Sequence, residues 1–510
     1  MRNLNRRDFI KNVGVGVGIA MTTPFWLDAL MANSPNSTGN NLISSYFGFS
    51  KEQINQLLQI ALSKGGDFSE FYFEYSKDNS VSMEEGLIKN SSELISLGVG
   101  IRVIKGNNYG YAYSNELTFE SIKSAALTAA AIASGNSKVQ VVNVNETKIA
   151  KTVYDLSSPV SDLTLNEKIQ MIRTAHDTAA TFDSKIKKVS ASLADGMQYV
   201  TIANSEGLLI SDVRPQCRLI VSATAIDGEK RGTGLANAGG RISYDFYKGN
   251  NVKPENLGNK AAKEALLLLE ARNAPAGEMP VVLDKKQSGV MIHEAVGHPF
   301  EADSIWKKTS TIHDKLGETI GSPLITIYDD GLISNYRGSL NIDDEGYPCE
   351  RTMLMEKGKV VGFMNDKISA QALNQKRNGH GRRMSYEHIP IPRMTNTVLV
   401  SGDTPPEEIL ESVKNGFYAI SYQGGQVEGT GKFTFSVSFG YLIENGKLTT
   451  PLKNATLIGT NTTILKDIDM VGSDLDFFLG TCGKEGQSVP VTAGTPTIRI
   501  KKMTVGGIKV

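Results

Sequence analysis

Met279-Pro280-Val281-Val282-Leu283 runs through Asp284-Lys285-Lys286-Gln287-Ser288-Gly289-Val290-Met291-Ile292 into His293-Glu294-Ala295-Val296-Gly297-His298-Pro299. Pro280 to Leu283 reads as a short strand. Asp284 to Gln287 has the form of a capping box, so a helix is expected to open there and to stop at Pro299. The stretch divides the chain into two textures.

Upstream, helical and strand patterns mix. Ser50-Lys51-Glu52-Gln53 and Thr164-Leu165-Asn166-Glu167 are capping boxes, the first before apolar positions at a 3.6 period (Ile54, Leu57, Leu58, Ala61). An alanine-rich run from Phe119 to Ala133 and a run opened by Pro254 predict two more helices. Phe71–Tyr75, Leu97–Ile104 and much of 188–242 predict strands, with Gly98 and Gly100 allowing close backbone approach. Downstream, short strands and hairpin turns dominate, among them Glu356-Lys357-Gly358-Lys359 and Glu444-Asn445-Gly446-Lys447. One further helix is expected at Thr404-Pro405-Pro406-Glu407. The expected class is α+β, a mixed α/β part followed by a mainly antiparallel β domain. The boundaries read as 1–32 signal, 33–48 linker, 49–275 N-terminal domain and 276–510 β-rich domain.

Composition narrows the function. The 510 residues carry 54 Lys+Arg and 54 Asp+Glu, a formal net charge of zero, with no basic cluster. That argues against binding nucleic acid by counterion release. Fifty glycines and three cysteines exclude a disulfide scaffold. The N-terminus follows other rules. Asn5-Arg6-Arg7-Asp8-Phe9-Ile10-Lys11 precedes a short Gly-rich apolar run, Val13 to Met21, and looks like a twin-arginine export signal. The expectation is a periplasmic protein, cleaved near Ala32, with no stable membrane span afterwards, since Pro24 and Asp28 interrupt the apolar run.

The chemistry centres on His293 and His298, which flank Glu294. In H-E-x-x-H sites two imidazoles bind zinc and the Glu is general base. Here the histidines stand five apart. At ~100° per residue that places them about 140° apart on a regular helix, against about 40° for a spacing of four. Both can face one metal if the helix widens into a π turn or if His298 lies past its last regular turn; Gly297 and Pro299 favour either. A catalytic zinc site calls for three protein ligands. Cys482, between Thr481 and Gly483-Lys484, is the best remaining candidate, and Lys484 would favour its thiolate. Its alternatives are an inert buried thiol or half of a bridge with Cys217 or Cys349.

His293 to His298 resembles the H-E-x-x-x-H motif of TldD subunits in the TldD/PmbA (TldE) metalloprotease family. So do Arg337-Gly338-Ser339, Asp343-Asp344-Glu345-Gly346, Asn378-Gly379-His380-Gly381-Arg382-Arg383, Pro392-Arg393-Met394-Thr395-Asn396-Thr397, Gly424-Gly425-Gln426-Val427 and Cys482-Gly483-Lys484-Glu485-Gly486-Gln487. The motifs run in the family's order from about residue 50 to the end. The resemblance implies zinc on His293, His298 and Cys482 with Glu294 as base, and a barrel-like C-terminal domain. It also implies cleavage of peptides or unfolded proteins inside a chamber, by a homodimer or a heterodimer with a PmbA/TldE-type subunit. The export signal departs from the family, whose members are generally cytosolic.

Candidates for stabilising the developing oxyanion are His380, Arg382, Arg383, Tyr386 and His388. Glu301 and Asp303 are close enough in sequence to orient the zinc imidazoles, although surface positions are the ordinary expectation. A strand-lined chamber would let substrate add to a sheet edge. The alternative function is a non-catalytic peptide-binding or assembly subunit. Gly425 to Phe433 lacks the Walker A spacing, so nothing supports ATP use. Asp343-Asp344-Glu345-Gly346 reads as a turn, not a calcium loop.

Overall fold

The structure, a computed structural model, describes residues 42–428 and 431–507. The twin-arginine stretch and the region around Ala32 lie outside the described residues.

The N-terminal part is one seven-stranded sheet. Its strands are β1 (Phe68–Glu84), β2 (Leu87–Lys105), β3 (Asn108–Ser114), β4 (Asn145–Thr147), β5 (Ile186–Asn204), β6 (Leu208–Asp227) and β7 (Lys230–Gly240). They pair in the order β3-β2-β1-β5-β6, with β4 and β7 both on β6, and every pairing but β4–β6 is antiparallel. Among the described residues the longer helices of this part are α1 (Lys51–Leu62), α2 (Phe119–Ile132), α3 (Leu165–Ala180) and α4 (Pro254–Glu270). Ser50 and Thr164 close the expected capping boxes, each accepting from the N3 amide while the N3 side chain accepts from the cap. Such caps satisfy amides that a helix start otherwise leaves open. Helices α1 and α2 bury Ile54, Leu57, Ile122 and Ala126 with Phe71, Phe73 and Ile101, whereas α3 and α4 bury Ile172, Ala175, Ala261 and Ala265 with Leu193 and Leu219.

The C-terminal part is built from strands that include β8 (Gly277–Leu283), β9 (Asn396–Leu399), β10 (Asn415–Val427), β11 (Lys432–Glu444), β12 (Ala455–Thr460), β13 (Asp476–Lys484), β14 (Gln487–Thr495) and β15 (Ile498–Gly506). Strand β10 pairs in parallel with β8, which pairs with β15, then β12, then β11, which returns to β10. This is a closed five-strand barrel, so the strands in it leave no free sheet edge where they pair on both sides. A separate six-stranded sheet ends with β9, β14 and β13, with β13 outermost. The class is α+β with a mainly antiparallel, barrel-containing C-terminal region, as the sequence led us to expect. No helix among the described residues is long and apolar enough to cross a membrane.

Candidate metal centre

The expected helix begins later than its capping-box letters suggest. Its first turn is Gly289–Ile292, and Ser288 at the cap makes no side-chain capping bond, its hydroxyl meeting that of Tyr422 instead. Asp284 is engaged elsewhere: the Tyr418 hydroxyl donates to its carboxylate. From there the backbone passes into a π turn over His293–Gly297 and a 3-10 turn over His298–Phe300. The His298 N–H donates to the His293 carbonyl, five residues back. The wide turn absorbs the extra residue, and the two imidazoles meet with ring centroids 5.0 Å apart and planes at 80°. Gly297 is required by packing, since a Cβ there would collide with Met394 Sδ. Met291, Ile292, Val296 and Phe300 anchor these turns in the core beside Met394 and Val491.

Strand β13 delivers the sulfur. Cys482 lies opposite Val489 of β14, and its Sγ is 3.4 Å from His298 Nε2. One ligand atom from each of His293, His298 and Cys482 lies within 4.8 Å of the others. All three cysteines are free, which removes the bridge alternative; Cys217 contacts the Tyr247 hydroxyl and Cys349 the Gly379 carbonyl. Burial disfavours the Cys482 thiolate, but the His293 and His298 imidazoles outweigh it and hold the thiol well below its ordinary range. The expected source of that effect, Lys484, instead binds carboxylates.

These donors suit a tetrahedral divalent ion. Zn–S near 2.3 Å and Zn–N near 2.0–2.1 Å put sulfur and nitrogen about 3.5–3.6 Å apart in a tetrahedron, close to the 3.4 Å between Cys482 Sγ and His298 Nε2. His293 Nδ1 is buried with no hydrogen-bond partner, an orphan that a protein interior normally avoids. Two imidazoles and a thiolate match the borderline-soft preference of zinc.

Charged neighbours complete the centre. Glu294 has a carboxylate oxygen 4.0 Å from His298 Nε2. Burial raises its pKa above the usual carboxylate range, against the pull of both imidazoles. Glu301 and Asp303 are buried, contrary to the surface expectation, because the backbone there pairs with Met364 and Lys484 reaches both carboxylates. Glu301 accepts from His298 Nδ1 at 3.0 Å. Burial opposes its ionisation, but Lys484 and His298 hold its pKa down at about 2.

The centre opens into a cavity of about 650 Å³ lined by Val290, Thr309, Thr311, Phe478 and Thr481 and, along β10, by Gly424, Gly425, Gln426 and Val427. Sequence reasoning quoted Gly424 to Val427 among the family motifs and rejected Gly425 to Phe433 as a phosphate loop, but did not place the stretch at the site. None of the five oxyanion candidates lines the cavity. His380 Nδ1 donates to the Arg393 carbonyl, and its Nε2 meets the Thr352 hydroxyl. Arg382 donates to the Met394 and Pro490 carbonyls. Arg383 donates to Glu70 and to the Asp344 carbonyl. Tyr386 packs on Gly98, where a Cβ would strike its ring, and His388 bonds Ser385. Arg383 and Tyr386 tie the two halves of the chain together, whereas His380, Arg382 and His388 bond within the C-terminal half, so the sequence assignment is corrected.

Three family models match in order: PmbA/TldA metallopeptidase domain 1 over residues 69–133, the central domain over 158–269 and the C-terminal domain over 276–507. A metalloprotease TldD homolog of Haemophilus influenzae is 40% identical over 485 residues, covering 92% of this chain and 99% of its own. A zinc metalloprotease TldD homolog of Saccharolobus solfataricus is 29% identical, covering 87% and 97%. The crystal structure of TldE from Thermococcus kodakarensis shares the fold with a TM-score of 0.71 at 18% identity, covering 89% of this chain and 100% of that one.

Proposed function

This chain belongs to the PmbA/TldA (TldD/PmbA) metallopeptidase family, and on that premise we propose that it is a zinc-dependent peptidase of the TldD type cleaving peptides or unfolded proteins. One observation carries the reading: two imidazoles and a thiolate from distant segments converge beside a carboxylate at the head of a cavity.

In this reading His293, His298 and Cys482 hold the ion. When bound, zinc supplies Lewis acidity that polarises a scissile carbonyl and acidifies water. Glu294 takes the proton from the attacking water and passes it to the leaving amine. Its raised pKa suits that exchange, because a carboxylate that binds protons more readily is a better base near neutral pH. Glu294 is itself buried, which restricts bulk water around the carboxylate. Gly424 to Val427 of β10 pair with β11 along one edge, while β8 reaches only Phe417 to Ala419 on the other. That open edge faces the cavity and suits an extended peptide held by backbone hydrogen bonds, which tolerates many sequences.

The deciding experiment is Glu294→Gln. Stoichiometric zinc with lost cleavage of an unfolded polypeptide such as casein supports the assignment, and full activity rejects it. A non-catalytic assembly subunit has no need of a converged ligand triad, so the peptidase reading is preferred. The TldE likeness supports assembly as a dimer with a TldE-type subunit or a second copy; a monomer after co-expression with such a subunit would reject that. We also propose twin-arginine export to the periplasm from Arg6 and Arg7. Arg6→Lys/Arg7→Lys should strand the precursor in the cytoplasm, and unchanged periplasmic yield would refute the route.

A further inference from the structure

We infer that Glu301 and Lys484 are positioning residues that hold His298 and Cys482 in register for the metal; the inference rests on the metal-centre reading above. Glu301 is 1% exposed, and a carboxylate so deeply placed is costly unless paired. Its two shortest engagements concern the centre. Oε2 accepts from His298 Nδ1 at 3.0 Å and lies 3.1 Å from Lys484 Nζ. The first bond fixes the proton on Nδ1 and leaves the Nε2 lone pair aimed at Cys482 Sγ, 3.4 Å away.

Lys484 follows Cys482 by two positions on β13, so their side chains leave the same face of the strand. Its Nζ also reaches Asp303 Oδ1 at 2.6 Å and the Pro392 carbonyl at 3.2 Å. One ammonium therefore clamps the strand that carries the sulfur to the turns that carry the imidazoles. Arg393 adds a second tie, donating to the Cys482 carbonyl at 2.6 Å with its Nε 3.8 Å from Glu301 Oε1. Glu301 and Asp303 are balanced by Lys484 and Arg393. The cluster is thus neutral in itself, leaving the Cys482 thiolate and Glu294 to answer the charge of a divalent ion.

The test uses the full chain loaded separately with Zn(II) and Co(II). Chelator competition gives affinity, and the Co(II) absorption bands report ligand geometry, which a merely structural role would not move. Glu301→Gln and Lys484→Met should each weaken zinc binding about 10–100-fold and shift the Co(II) bands. Lys484→Arg, which keeps the charge, should return both toward wild type. Where Glu301→Gln does not fold, Glu301→Asp keeps the charge but shortens the reach, and the same weakening is expected. Wild-type affinity and an unshifted spectrum in the folded variants overturn the inference, even if thermal stability falls. Cys482→Ser separates the two claims. If it loses the metal while Glu301→Gln does not, the positioning role fails alone; if it binds metal as wild type does, the metal centre itself fails.

Discussion

Two of the buried clusters of charged side chains among the described residues are built differently. At the contact between the halves of the chain, Arg102 bonds Glu70 at 2.8 Å and reaches Glu345, Arg383 bonds Glu70 at 2.7 Å, and Arg214 bonds Asp212 at 3.0 Å and reaches Asp344. Each cation there is answered by carboxylates. At the cavity, His293, His298 and Cys482 turn ligand atoms toward one another, and His293 Nδ1 has no partner. Both clusters come from motifs rich in titratable residues. The lesson is that such density does not mark a site; convergence of metal-ligating atoms beside open space does.

The comparison breaks most sharply at the cavity. Glu294→Gln should lower cleavage of unfolded polypeptide by about 10²–10⁴-fold with zinc retained; metal analysis alongside a peptide-release assay checks it. Cys482→Ser should abolish stoichiometric zinc, whereas Cys217→Ser and Cys349→Ser should leave metal content unchanged, because those thiols face Tyr247 and Gly379.

The interdomain cluster should respond in the opposite way. Arg102→Met removes the cation paired with Glu345 and leaves Glu70 to Arg383 alone, and should cost about 3–5 kcal/mol of stability in denaturant titration while zinc content stays at wild type. If zinc is lost from the folded variant, the two clusters are not independent. Gly297→Ala sits between these cases. Its new methyl group meets Met394, so it should cost about 1–3 kcal/mol and also weaken metal binding by disturbing the π turn. The smallest effect is expected far from both clusters: Thr164→Ala removes a cap from α3 and should cost about 1 kcal/mol, with the site unaffected.

Legibility followed the range of the forces involved. Helices α1 and α3 could be read from Ser50/Gln53 and Thr164/Glu167 because a capping box is local chemistry. The π turn was readable too, since the five-residue spacing of His293 and His298 is incompatible with a regular helix facing one ion. The full lengths of β1 and β2 were not. Their polar outer stretches fell outside the expected strands, yet Lys77–Ser80 pair with Ser92–Ile95, and β1 continues against β5. Cys482 was a candidate by chemistry, and the family resemblance singled it out; no spacing rule joins it to His298. Misplacing His380, Arg382 and Arg383 at the cavity has the same origin. Their partners, Thr352, Pro490 and Glu70, come from distant segments and absorb the donors that looked available. Glu301 was expected at the surface because nothing local shows that Lys484 will bury it.

Zinc K-edge X-ray absorption on the full-length protein tests the centre most directly. The account predicts one ion per chain with a single sulfur at about 2.3 Å and imidazole nitrogens at about 2.0–2.1 Å, the sulfur disappearing in Cys482→Ser. A shell of nitrogen and oxygen alone in the wild-type protein, or a sulfur that survives that substitution, would contradict it.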